Sequence, residues 1–457
     1  MSTCAETLAE FTRGLTFDAI PLEVAENVWL RCLDVLGIAL ASTVQDFAPA
    51  VLGVAERWGG GGECTVVGTK LTTSPPLAIL VNGSLAHGLD YDDTHTASIT
   101  HASAVVIPTV LALGESLGLD GRSLLTAAVA GYEAITRIGM AAPGSFHARG
   151  WHATAVCGTF AATLVAGKCL GLDRQQLANA LGIAGSFASG VLEHLEDGSW
   201  VKRIHPGWAG HSGALAAALA QGGFTGPASI LEGRFGFYST FLGERVDLAS
   251  RLQTLGRQWE TLRVAFKPYP CCHYNHAYMD AAARLKREHR FSPSEIAEVQ
   301  CLVPAGEVPI VCEPASAKRR PRTSYDAQFS LPFSVAAALV EDEVWVDSYA
   351  PERLGDPLLL ALADRVSYSV DPASRFPESF PGWVKIRLRD GRLLEAREPV
   401  NRGSAENPLP LEAIVVKFRR NAGRVLPPSQ AALIEREVLA LDRSPDVRSL
   451  LRLCRTP

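Results

Sequence analysis

Leu22-Glu-Val-Ala-Glu-Asn-Val-Trp-Leu-Arg-Cys-Leu-Asp-Val-Leu-Gly-Ile-Ala-Leu-Ala-Ser42 decides how the first half of the chain is read. Val24, Val28, Leu30, Leu33, Val35 and Leu36 recur with the helical period and give one broad apolar face. The same pattern returns over 76–89, 103–117, 121–140, 154–170, 173–187 and 212–221. Asp120 stands where it can cap the 121–140 segment. These segments are rich in Ala and Gly, which let helix axes approach closely. A large, tightly packed helical domain is expected.

The pattern changes near Val264. Segments 296–303, 366–370 and 384–396 alternate or carry strand formers. Asp390-Gly391 inside the last of them is a strong hairpin signal. Helical patterns at 277–289 and 332–341 are interspersed, so this is read as a second, mixed domain. Prolines and glycines over 401–410 suggest a crossing back, and 411–451 is helical again. The expected division is a helical domain at 1–265, an α/β lid at 266–405, and C-terminal helices at 406–457 that rejoin the first domain. A chain of 457 residues exceeds the size at which one core keeps growing, which agrees with two domains.

Composition narrows the function. A net charge of -5 without a long basic tract argues against nucleic acid. The apolar runs, such as 104–113, are too short to span a bilayer, and no secretory signal opens the chain. Ten irregularly spaced cysteines, with no CxxC, read as reduced thiols in a cytoplasmic protein. There is no strand–GxGxxG–helix, no phosphate loop and no GxSxG elbow.

Four clusters could carry chemistry. The densest is Asn82-Gly-Ser-Leu-Ala-His87-Gly-Leu-Asp90-Tyr91-Asp92-Asp93-Thr94-His95, followed by His101-Ala-Ser103. Carboxylates and imidazoles together move protons near neutral pH. The bland alternative is capping aspartates and solvated histidines. A divalent metal is a further reading, but no ligand spacing such as HExxH supports it. His152 opens a helical segment in Gly150-Trp151-His152-Ala-Thr154, close to N–H groups that favour anions. Trp200-Val-Lys202-Arg203-Ile-His205-Pro206-Gly207 places two cations in a low-charge region, either as a carboxylate site or as a solvated loop. Lys267-Pro-Tyr269-Pro-Cys271-Cys272-His273-Tyr-Asn-His276 offers a conceivable cysteine nucleophile, although buried structural thiols are commoner. Lys318-Arg319-Arg320-Pro321-Arg322 reads as a solvated loop that could lend a carboxylate contact.

Taken in order, these clusters resemble the MmgE/PrpD family, together with Ala130-Gly131-Tyr132-Glu133, Gly223-Phe-Thr-Gly226, Leu231-Glu232-Gly233 and Ala327-Gln328-Phe329-Ser330-Leu331-Pro332. The resemblance covers nearly the whole chain. It implies a mainly α fold with an α+β lid, a homodimer, and a cleft between helical domain and lid. It implies an enzyme with neither metal nor organic cofactor, acting on a small polycarboxylic acid. The catalytic positions it implies are Asp90, Thr94, His101, His152, Lys202 and Lys267. Arg203, Cys272, His273 and His276 are candidate substrate contacts.

The chemistry fits. Removing a proton beside a carboxylate builds negative charge, so a base must take the proton and fixed cations must hold the charge. His101 and His152 are the candidate base and acid. The leading expectation is a hydro-lyase on a citrate-like acid. The alternatives are an epimerase or isomerase of a dicarboxylic acid, a cis-aconitate-type decarboxylase, and a non-catalytic carboxylate binder. In the decarboxylase branch a histidine falls at Cys272 and a tyrosine at Phe333, and this chain lacks both.

Overall fold

The computed structural model describes residues 2–456. The chain is mainly helical and builds two large hydrophobic cores, with a small third cluster of Ile38, Ala41, Leu89, Tyr91 and Val346. The larger joins residues between Cys4 and Val264 to residues between Val415 and Cys454, so both ends of the sequence share it. The smaller, the core of an α/β lid, runs from Cys271 to Ala396.

Helix Leu22–Ser42 forms as its apolar face requires, with Val24, Val28, Cys32, Leu33 and Leu36 buried. Asp120 caps Gly121–Met140 by accepting from the Ser123 N–H at 2.7 Å. Asp173 and Gln176 form a capping box on Arg174–Ala184. At the centre, helix Val201–Gln221 lies between Pro75–His87 and Ala153–Cys169. Glycine makes this possible. A methyl group on Gly207 would fall 2.1 Å from the Leu80 carbonyl oxygen, and one on Gly213 would fall 2.6 Å from the Thr163 nitrogen.

That central helix differs from the sequence expectation. It begins at Val201, not at 212, and takes in Pro206. Lys202, Arg203 and His205 therefore sit on a buried helical turn, where a solvated loop was the alternative.

The lid carries a four-stranded sheet in the order Val366–Val370, Ile296–Val303, Gly382–Leu388, Leu393–Glu398. The first pair is parallel and the other two are antiparallel. Asp390-Gly391 turns the hairpin between the last two strands, with Gly391 at φ +93°. Helices His276–His289 and Leu331–Val340 pack into the same core.

The basic run at 318–322 stays with the lid. Lys318 donates to the Ile310 and Phe329 carbonyls at 2.7 and 2.9 Å, and Arg320 pairs with Asp364. Among the described residues no helix is long and apolar enough to cross a membrane.

Candidate active site

Backbone pairing brings the reactive segments together. Thr94–His95 forms a two-residue antiparallel ladder with Val264–Ala265, setting Asp90–Thr94 beside Lys267. Arg31 locks this junction by donating to the Asp93 carboxylate at 2.8 Å and to the Val264 carbonyl. His101 and His152 each occupy the N-cap position of a core helix, Ala102–Leu117 and Ala153–Cys169. The two helix starts are tied by the His101 N–H donating to Thr154 Oγ1 at 3.0 Å. A helix supported on all sides thus aims each imidazole at the same space.

Asp90 is the electrostatic hub. Its carboxylate accepts from Lys202 Nζ at 2.5 Å and from Lys267 Nζ at 3.0 Å, and its carbonyl takes Lys267 again at 2.8 Å. The residue adopts φ +49°, a left-handed conformation that aspartate tolerates better than most side chains. Burial opposes its charge, but the Lys202 and Lys267 ammoniums outweigh burial and hold the carboxyl well below its usual range. Asp92, also buried, is pushed the other way by desolvation.

Three imidazoles face one another beside this triad. Ring centroids of His87 and His101 lie 4.8 Å apart, and His152 is 5.9 Å from each. His87 Nδ1 bonds the Asp92 carboxylate at 2.8 Å. His101 Nδ1 bonds the Asp93 carbonyl at 2.7 Å, with Thr94 Oγ1 at 3.3 Å. His152 Nδ1 meets His205 Nδ1 at 3.1 Å. All three are held well below the ordinary imidazole range, first by burial, with the Lys202 ammonium adding to it. At neutral pH they are neutral and have lone pairs to accept protons.

The cavity that His101 and His152 border, with His87 behind them, encloses about 60 Å³. Asp90, Thr94, His101, His152 and Lys202 line one side; Cys272, His273, Ile310 and Phe380 from the lid line the other. Lys267 is wholly buried behind Asp90 and acts on the cavity through it. His273 is held by Asn401 at 2.7 Å.

Two expected substrate contacts do not reach this space. Arg203 is clamped between the rings of Phe47 and Tyr325, 4.4 Å from each centroid, and pairs with Asp46. Successive helical residues point about 100° apart, so Arg203 cannot share the direction of Lys202. His276 turns into the lid and bonds the Cys271 carbonyl. Cys272 borders the cavity, but burial pushes its thiol up to about 12, so it is no thiolate nucleophile. Cys271 faces Met279 inside the lid.

The structure adds residues that were not assigned to the site from sequence. His147 and His194 line the cavity. Gln328 donates from the lid to the Leu89 and Pro270 carbonyls at 2.8 and 2.9 Å, joining the Asp90 loop to the Lys267 loop. Lys417 lies in C-terminal helix Leu411–Ala422 and spends its three N–H donors on Asp34, on the Tyr91 carbonyl at 2.8 Å and on the Lys267 carbonyl at 2.9 Å. It fixes the neighbour of Asp90 and Lys267 together.

Comparison with known proteins identifies the fold. The MmgE/PrpD N-terminal domain matches residues 6–248, and the MmgE/PrpD C-terminal domain matches residues 269–443. A cis-aconitate decarboxylase of Aspergillus terreus is 29% identical, covering 98% of this chain and 95% of that protein. The cis-aconitate decarboxylase of Mus musculus is 27% identical, covering 100% and 94%. The Homo sapiens protein of the same name is 26% identical, covering 93% and 89%. With both domain matches in chain order, this protein belongs to the MmgE/PrpD family.

Proposed function

We propose that the chain is a lyase acting on a small citrate-like polycarboxylic acid, by proton transfer at the carbon beside a carboxylate. The observation that carries this is the cavity lined by the His101 and His152 imidazoles, Asp90 and Lys202, with Lys267 paired to Asp90 from behind. A substrate carboxylate lies against Lys202 and draws on the positive charge that Asp90 leaves uncompensated. One imidazole, His101 or His152, takes the proton, and the ammoniums stabilise the charge that develops on the carboxylate. A bound polyanion raises the affinity of both rings for protons, so the second can donate to the leaving group. Such a buried charged cluster costs stability, which disfavours a role limited to ligand binding.

Loss of water is the leading reaction. Cys272 and Phe333 stand where the decarboxylase branch carries histidine and tyrosine, and Phe333 is wholly buried in the lid core, away from the cavity. Decarboxylation is the second reading, favoured by relatives named cis-aconitate decarboxylase that span the chain. Epimerisation of a dicarboxylic acid needs only the proton transfer and comes third. The cavity is far smaller than the roughly 300–1,000 Å³ of ligand sites, so the lid must shift to admit substrate. Val201, Ile204, Trp208, Leu215 and Leu219 form an exposed apolar stripe along the central helix, which fits a second copy of the chain in a homodimer. Ten free thiols fit a reducing, cytoplasmic setting.

Proton NMR in deuterated water, with a panel of citrate-like and amino-dicarboxylic acids, tests the reading. A vinyl signal from a hydroxy acid without carbon dioxide establishes dehydration. Carbon dioxide release establishes decarboxylation, and deuterium uptake without a new alkene establishes epimerisation. His152→Ala abolishes whichever turnover is found; turnover at the parent rate in that variant overturns the site.

A further inference from the structure

His87, His101 and His152 are 14 to 65 positions apart in sequence, yet each offers a ring nitrogen within 4.8 Å of one on both others. In every ring Nδ1 is already engaged: His87 with the Asp92 carboxylate, His101 with the Asp93 carbonyl, His152 with His205. Nε2 is therefore the free nitrogen of each ring. Those of His87 and His152 are buried without any hydrogen-bond partner. An imidazole with one nitrogen held by a carboxylate or carbonyl and the other free is the arrangement in which histidine binds metals, and His87 and His101 have it; His152 has the neighbouring imidazole of His205 in that place.

Charge around the rings permits a cation. Lys202 and Lys267 oppose it, but Asp90 accepts from both, and Asp92 sits directly behind His87. These four groups sum to no net charge. Three nitrogen donors suit the zinc class of first-row ions and not magnesium or calcium, which want oxygen. Tetrahedral bonds of about 2.0–2.1 Å want nitrogens about 3.4 Å apart. The rings must close by little more than an ångström, within reach of side-chain torsions.

We infer that His87, His101 and His152 form a binding site for one divalent transition-metal ion, with an open position toward the cavity. The ion is not a participant in the proposed reaction. It occupies the lone pairs that the reaction uses, and so inhibits in competition with substrate. This consequence, though not the site itself, rests on the acid–base reading above.

The test uses the full chain, stripped with chelator and titrated with Co²⁺. The expected result is a visible ligand-field band saturating at one ion per chain, with a matching calorimetric stoichiometry. His87→Ala should lose the band. Because that variant removes a buried ring, Asp92→Asn is titrated alongside; it keeps all three ligands and should weaken binding about 10- to 100-fold. Absence of the band in the parent overturns the site, as does unchanged affinity in both variants. Zn²⁺ is then added to turnover assays. Full turnover with the site loaded leaves the metal site standing and overturns the acid–base reading instead.

Discussion

Asp90→Asn isolates the electrostatics of the site with little change of shape. Asparagine tolerates the left-handed conformation that residue 90 adopts, so backbone strain is not the variable. What changes is charge. The parent cluster holds two ammoniums against one carboxylate; the variant holds two ammoniums against none. Both lysine side chains are at most 6% exposed, so water screens them poorly. Breaking a buried pair in this way costs about 3–5 kcal/mol. With about 2.1 cal/mol/K of unfolding entropy per residue, a cooperative chain of this length loses roughly 3–5 °C in Tm. Calorimetry of parent and variant measures the difference. Adding Lys202→Met restores the parent's net charge and should recover at least half of the loss. A Tm within one degree of the parent for Asp90→Asn would refute the reasoning, as would a double variant that falls by the sum of both changes.

Lys417→Met frees the Tyr91 and Lys267 carbonyls and strands Asp34 in the core. Displacing the reacting groups by about an ångström costs roughly 100-fold, so steady-state kinetics well below the variant's Tm should show that fall in kcat. His194 is buried with both ring nitrogens unpaired, and burial, reinforced by Lys202, lowers it to about 3. The unfolded chain takes up its proton near 6.5, so the stability His194 lends above that pH is lost as pH falls toward 3. Between pH 7 and 5 the loss is about 2 kcal/mol, and His194→Leu should show that much less acid sensitivity in urea titrations. Trp208→Glu places a charge in the apolar stripe of the central helix and should halve the mass seen by light scattering.

Helix periods, the Asp120 cap and the Asp390-Gly391 hairpin were legible because each is a local signal read within a few residues. The start of the central helix was not. Pro206, Gly207 and Gly210 interrupt the helical pattern before 212, yet Gly207 is what the neighbouring backbone of Leu80 demands. Lys202 could be singled out as a rare cation in an alanine-rich region. That its neighbour Arg203 faces two aromatic rings instead depends on helical phase, which a misplaced helix start conceals. His87 and His101 fell in one sequence cluster and the resemblance paired His101 with His152, but the three rings as one group were not legible, because helix packing and not spacing brings them together. Lys417 gave no signal at all: its partners lie 326 and 150 positions away.

That last contact also orders the making of the molecule. Segments before the lid carry Asp34, Asp90, His101, His152 and Lys202, and the start of the lid carries Lys267, so a ribosome has delivered every proposed reacting group well before residue 417 is added. The chain folds from its N-terminal side as it is made. Until Leu411–Ala422 docks on Leu22–Ser42, Asp34 lacks its cation and the Asp90 and Lys267 loops lack their common anchor. The same helix adds Val415, Phe418 and Ala422 to the larger core. The geometry proposed for proton transfer therefore arrives only once that helix has been made, and a nascent chain stalled before it holds the proposed reacting groups without that geometry.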